Sequence, residues 1–505
     1  MTLRRLVISN LVLAGFFVAA ACSDTESGNR DDGTENGGAA GEAGAAGAAG
    51  EAGSMNTAGE NAMAGSAGDH AMAGSAGSMN QQPTAFRLHV ENVAPFDHLK
   101  SGSFTTKFGG TDPGPLAPGE AYEFTFTAGP KHRLAFATMF GQSNDWFFAP
   151  VGGSLALYDG DTPISGDITD MIRLWDAGTE VDEEPAVGPH TGPNQATSTD
   201  GPGDPDPDDT VRMVPNPAIL TSGATFDLPE VSDMIRVTVD SNAATREFSV
   251  RIENVSEDGV TLQTSDGGKP VRVSPGVWSV GTQPDLLFSE GEPDRGQGLE
   301  QIAEGGDVSV LSPNLDTTAG VATPLSPGLF VLSTSGEPLF TVGAPDRGKG
   351  LELLAETGNP ADLAASFDAE LPQGATSYGV FDTAVGASDP GPIHSGGSYD
   401  VDFEAVPGDR LSFATMYGAS NDWIFAPGSE GIPLFDDNGS PMTGDMTELV
   451  SLWDVGTELS EEPAVGAHIG APEGAQDPNM DVHMVDGSVY PVPVDMHVKV
   501  TLSTQ

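Results

Sequence analysis

The sequence predicts an all-β protein built as two antiparallel β-sandwiches, and three observations carry that expectation. Apolar and polar residues alternate in short runs such as Phe86-Arg-Leu-His-Val90, Tyr122-Glu-Phe-Thr-Phe126, Leu134-Ala-Phe-Ala-Thr138 and Ile235-Arg-Val-Thr-Val239. A period of two marks strands with one buried face. Gly, Pro and Asp clusters bound these runs and long helical periodicity is nearly absent, the pattern of a sandwich with turn-rich connections. The third observation is a repeat. Phe140-Gly-Gln-Ser-Asn-Asp-Trp-Phe-Phe-Ala-Pro150 returns as Tyr417-Gly-Ala-Ser-Asn-Asp-Trp-Ile-Phe-Ala-Pro427. Likewise Leu174-Trp-Asp-Ala-Gly-Thr-Glu-Val-Asp-Glu-Glu-Pro185 returns as Leu452-Trp-Asp-Val-Gly-Thr-Glu-Leu-Ser-Glu-Glu-Pro463. Two copies predict two domains of one kind.

Taken in order, residues 1–22 read as a secretory leader: a basic start, an apolar run from Leu6 to Ala21, then Ala19-Ala-Ala-Cys22. That ending resembles a bacterial lipobox, with Ala19 where Leu is commoner, which would make Cys22 a lipidated N-terminus. The alternative is ordinary cleavage near Ala21. Residues 23–83 are Gly, Ala, Ser, Glu and Asn with almost no large apolar residue, a composition unable to offset chain entropy. As a flexible coil this linker would span about 40–45 Å. The first domain is expected over 84–243 and the second over 246–505, where Phe248-Ser-Val-Arg-Ile252-Glu-Asn-Val255 restates Phe86-Arg-Leu-His-Val90-Glu-Asn-Val93. The second carries an apparent insert at about 271–372, itself duplicated: Ser274-Pro-Gly-Val-Trp278 and Ser326-Pro-Gly-Leu-Phe330 each precede an Asp-Arg-Gly-x-Gly-Leu-Glu run. Each copy reads as an extended piece plus a short helix.

With 20 Lys+Arg against 74 Asp+Glu and a formal charge of −54, the chain repels nucleic-acid phosphates. One cysteine excludes an intramolecular disulfide framework and a Cys-rich zinc site. The repeated acids are the candidate chemistry: Asp145, Asp176 and Glu180, then Asp422, Asp454 and Glu458. A hard cation such as Ca²⁺ takes six to eight oxygens, and two loops at one end of a sandwich can supply three carboxylates. Gly178 and Gly456 would let each loop turn tightly. The competing reading is that these acids cap turns while Trp146, Trp175, Trp423 and Trp453 are core. Asp167 and Asp445 read as turn or helix caps rather than metal ligands, Glu183, Glu184, Glu461 and Glu462 as solvated or, alternatively, as support behind the ligands, and His190 and His468 as unmatched positions.

The Ser-x-Asp-Trp run followed by Trp-Asp-x-Gly-Thr-acid resembles the spondin domain of the F-spondin and mindin family. The resemblance implies a C2-like antiparallel sandwich and a calcium ion held by Asp145, Asp176 and Glu180, and a second by Asp422, Asp454 and Glu458. The family's Gly-x-x-x-Leu-Ala-Glu segment is matched at 298–304 and 350–356 but not within 84–243. The third ligand is Glu where the animal proteins have Asp, and no thrombospondin-type repeat is present.

No Gly-x-Ser-x-Gly elbow, His-Glu-x-x-His motif or catalytic cysteine is found, so an enzyme is not expected. The sequence instead suggests a calcium-binding module exported to the cell surface and lipid-anchored at the outer membrane. Its expected partner is an extracellular protein or glycan, with a passive structural stalk as the alternative.

Overall fold

The computed structural model describes residues 82–195, 203–470 and 474–505. The expected leader, Cys22 and the expected linker up to Gln81 lie outside them. Among the described residues strands make up 37 % and helices 11 %, in antiparallel sheets, as the alternation predicts.

The principal strands begin with β1 (Thr84–Asn92), β2 (Lys100–Phe104), β3 (Ala121–Thr127), β4 (Arg133–Phe140) and β5 (Trp146–Pro150). Next come β6 (Ile172–Asp176), β7 (Arg212–Met213), β8 (Ile235–Asn242), β9 (Glu247–Asn254) and β10 (Val273–Gly281). Helices α1 (Leu299–Gly305) and α2 (Leu311–Thr318) precede β11 (Leu325–Ser333), and α3 (Leu351–Thr357) and α4 (Ala361–Ala369) precede β12 (Ala375–Phe381). The chain closes with β13 (Ser398–Ala405), β14 (Arg410–Tyr417), β15 (Trp423–Pro427), β16 (Val450–Asp454), β17 (His483–Met484) and β18 (Val498–Thr504).

These strands form two lobes of matching topology. In lobe 1 a sheet of order β7-β6-β5-β4-β10-β2 faces one containing β3-β9-β8; in lobe 2, β17-β16-β15-β14-β11-β12 faces β13-β1-β18. A helix pair covers the outer face of each larger sheet. Trp175 and Phe147 pack under Leu299 and Ile302 of α1, as Trp453 and Ile424 pack under Leu351 and Leu354 of α3. Trp146 and Trp423 point the other way, into the sandwich interiors.

Strand membership does not follow the boundaries drawn at 243 and 246. β1 pairs with β13 and β18, so it lies in lobe 2, while β9, expected to open the second domain, pairs with β3 and β8 in lobe 1. Nor is 271–372 an insert within one lobe. Its first copy, β10 with α1 and α2, completes lobe 1, and its second, β11 with α3 and α4, completes lobe 2. Lobe 1 is thus threaded between the first and second strands of lobe 2 and is a circular permutation of it. Where lobe 1 turns directly from β8 into β9, lobe 2 brings two remote chain segments together, Gln505 N–H donating to Ala85 O at 3.0 Å. Alternation reveals which face of a strand is buried, but not which strand lies beside it. Cross-strand charges agree with the observed partners: Arg87 Nε reaches Asp402 at 2.7 Å and His89 Nδ1 reaches Asp400 at 2.6 Å, with Phe86, Leu88 and Val90 buried on the other face.

The described residues pack as one compact unit. Glu462 of lobe 2 bonds Lys100 and Thr127 of lobe 1, and Val465 is buried in the lobe 1 core. Its counterpart Glu184 instead accepts from Ser265 N–H at 2.6 Å, within the β9–β10 connection. That connection is the place where lobe 2 has lobe 1 inserted. Among the described residues no helix is long and apolar enough to cross a membrane.

Candidate metal centres

Strand pairing brings the repeated acids together. Asp176 ends β6 and sits opposite Trp146, the first residue of β5, so Asp145 and Asp176 lie at one sheet end; Asp454 and Trp423 repeat the register. After each β6-type strand the chain reverses at a glycine. Gly178 has φ 72° and a Cβ there would lie 2.5 Å from Thr210 O; Gly456 has φ 75° and its Cβ would lie 2.7 Å from Asp481 O. No L side chain fits at either position without displacing backbone.

In lobe 1, Asp145 is fully buried. Its Oδ2 accepts from the Thr179 and Glu180 N–H groups, both at 3.0 Å, while Oδ1 has no partner. Asp176 Oδ1 accepts from Gly178 N–H at 2.7 Å, and Oδ2 meets Arg212 Nη2 at 2.5 Å. A residue the sequence reading passed over joins them: Asp182, whose Oδ1 accepts from Trp146 Nε1 at 2.6 Å. Asp145, Asp176 and Asp182 offer oxygens all within 4.8 Å of one another. That grouping does not include Glu180. Its Oε1 accepts from Gly203 N–H at 2.8 Å and its buried Oε2 has no partner.

Lobe 2 repeats the frame with different trim. Asp422 Oδ2 accepts from Thr457 N–H at 3.0 Å and Glu458 N–H at 2.9 Å, and Oδ1 again has no partner. Asp454 Oδ1 accepts from Gly456 N–H at 2.7 Å, and Oδ2 accepts from Trp423 Nε1 at 3.1 Å and Ser460 Oγ at 2.5 Å. Glu458 accepts from Gly474 N–H. Ser460 stands where lobe 1 has Asp182, and His483, 3.9 Å from Asp454, stands where lobe 1 has Arg212. The second copy therefore carries fewer charges of either sign.

Asn144 and Asn421, also overlooked in the sequence, donate through Nδ2 to Val181 O and Leu459 O at 2.8 and 2.9 Å, leaving buried Oδ1 atoms without partners. The helical layer reaches both sites. Thr179 Oγ1 donates to Glu304 at 2.9 Å, and Thr457 Oγ1 to Glu356 at 3.2 Å. The 298–304 segment, which ends Ile302-Ala-Glu304 where 350–356 ends Leu354-Ala-Glu356, thus serves lobe 1, where 84–243 alone has no match.

Burial, then the neighbouring Asp176 charge, pushes the Asp145 carboxyl well above its usual range. Burial and Asp182 push Asp176 up to about 7, and burial with Asp454 pushes Asp422 up to about 7. Glu180 and Asp182 are also raised, chiefly by burial. Clustered acids stripped of water are costly unless a cation neutralises them.

The flanking residues are structural. Asp167 and Asp445 each cap a turn, accepting from Thr169 and Thr447 N–H at 2.9 Å. His190 and His468 are matched after all: Nδ1 contacts Glu183 at 2.7 Å and Glu461 at 2.8 Å, each seven residues upstream. Those glutamates are loop staples rather than solvated charge.

No family model matches this chain, and no curated protein matches it.

Proposed function

We propose that each lobe holds one divalent cation, calcium by the chemistry of the donors, and that the ion makes the acidic loops a rigid surface for an extracellular protein or glycan. The supporting observation is the set of buried oxygens without partners, Asn144 Oδ1, Asp145 Oδ1 and Glu180 Oε2 in one lobe and Asn421 Oδ1 and Asp422 Oδ1 in the other. Every one is an acceptor, and all are hard oxygens of the kind calcium takes. In lobe 1, Asp145, Asp176 and Asp182 would hold the ion, with Glu180 beside them; in lobe 2, Asp422, Asp454 and Glu458. The ion would supply charge neutralisation and loop order, with no reaction attached. On this reading the protein is a spondin-like surface module, exported through its leader and anchored at Cys22.

Calorimetric titration of the chelator-treated chain with Ca²⁺ tests this, with thermal melts alongside. Two saturable sites are expected, and at a hundred times Kd each ion adds about 2.7 kcal/mol. The Asp145→Asn/Asp422→Asn variant should bind neither ion, yet melt above the wild type when both are metal-free, because two buried charges are gone. Absence of saturable heat would leave the acids as turn caps and sink the proposal. Loss of adhesion to cells or matrix in the same variant would support a binding role over a passive stalk.

A further inference from the structure

The lobe 1 acids have a cation of the chain's own beside them. Arg212 opens β7 and is the cross-strand partner of Asp176 at the end of β6. Its Nη2 meets Asp176 Oδ2 and Asp206 Oδ2, both at 2.5 Å, while Nη1 donates to Asp208 O at 2.6 Å and Thr210 O at 3.2 Å. Asp176 Oδ1 already accepts from Gly178 N–H, so Oδ2 is the oxygen this side chain has left for an ion. Calcium keeps carboxylate oxygens at roughly 2.3–2.6 Å, so any ion on Oδ2 lies within about 5 Å of the Arg212 nitrogen on the same oxygen. Asp176 is buried, and two cations that close in a setting shielded from water repel strongly.

Lobe 2 supplies the comparison. His483 is the cross-strand partner of Asp454, but its Nε2 stays 3.9 Å from Asp454 Oδ2 and its Nδ1 contacts Asp481 O at 2.8 Å. Neutral groups, Trp423 Nε1 and Ser460 Oγ, donate to Asp454 Oδ2 instead. Both lobes bury an aspartate oxygen without a partner, Asp145 Oδ1 and Asp422 Oδ1. Lobe 1 alone, among the described residues, sets a permanent positive charge against the neighbouring ligand. That charge is free to leave. Released from Asp176, Arg212 keeps Asp206 and the two loop carbonyls, and the β6–β7 pairing stays closed.

We propose that Arg212 is a built-in competitor for the lobe 1 cation, which binds by taking Asp176 from the guanidinium, whereas lobe 2 loads unopposed. This rests on the calcium reading above and adds to it the device that tunes one of the two sites.

Calcium calorimetry on the full chain, one site at a time, tests it. In an Asp422→Asn background only lobe 1 should bind. Adding Arg212→Gln should tighten that site about 10-fold or more. In chelator this chain should melt below its parent, because Asp176 has lost its neutralising partner, and it should gain more from saturating calcium. In an Asp145→Asn background only lobe 2 should bind. Adding His483→Arg, at a position 46 % exposed, should weaken that site about 10-fold by installing the same competitor. Unchanged or weaker lobe 1 affinity in Arg212→Gln would make the guanidinium a positioning group for Asp176 and overturn the proposal. Unchanged or tighter lobe 2 affinity in His483→Arg would overturn it too, and decides the matter if Arg212→Gln fails to fold. If neither background binds calcium, the calcium reading itself falls and takes this proposal with it.

Discussion

Asp422 and its partners set a sign that differs from ordinary surface carboxylates. Its folded pKa of about 7 lies above the unfolded value of about 3.9. A raised carboxyl contributes stability that is complete below the unfolded pKa and lost as pH rises through the folded one. In chelated protein, the melting temperature of wild type relative to Asp422→Asn should therefore fall between about pH 4 and 7, by the equivalent of roughly 4 kcal/mol. Saturating calcium should abolish the trend. A flat difference without metal would mean Asp422 is solvated or otherwise paired. At this scale the sequence was legible chiefly where both copies kept the same acid. Asp145 and Asp422 announce themselves by repetition, whereas Asp182 is opposite a serine in the second copy and left no signal. Asn144 and Asn421 did repeat, but a neutral amide carries no sign of metal binding in a sequence until its orphaned oxygen is seen.

The loop after each β6-type strand depends on one backbone geometry. Gly456→Ala would place a Cβ 2.7 Å from Asp481 O at φ 75°. The expected result is a loss of about 1–3 kcal/mol and of one calcium site in calorimetry, the lobe 1 site being untouched. Two sites surviving in that variant would show that the turn does not position the ligands. The need for these glycines was visible in the sequence because Trp-Asp-x-Gly-Thr-Glu occurs twice. Strand existence was visible too. Strand partnership was not, because Phe86, Leu88 and Val90 dictate only that β1 has a buried face. Which core it enters depends on contacts more than 300 positions away, such as Arg87 with Asp402. The short helices escaped as elements of lobe 1 for the same reason: α1 lies downstream of the sandwich it covers.

At the scale of the molecule, threading makes the lobes unequal. Lobe 1 is continuous from β2 to α2, whereas lobe 2 needs β1 from one side of it and everything after β11 from the other. Refolding from denaturant should show two phases, with tryptophan signals of lobe 1 recovering before those of lobe 2. A core truncation in lobe 1, Phe136→Ala, should slow both phases, while Phe413→Ala in lobe 2 should spare the first. Simultaneous recovery, or lobe 2 leading, would contradict that order.

The adjacent connections at 97–98 and 318–320 explain why such a thread is workable. In the unfolded chain, β1 and β13 are separated by a very long loop, and closing it carries an entropic penalty that grows as the logarithm of its length. Once lobe 1 has folded, its two exits emerge hydrogen-bonded to each other. For β1 the span to β11 then shrinks to a few residues on either side of a clasp. On that route the inserted lobe brings β1 to partners more than 300 positions downstream, and until it closes β1 has two open edges exposed to the strands of neighbouring chains.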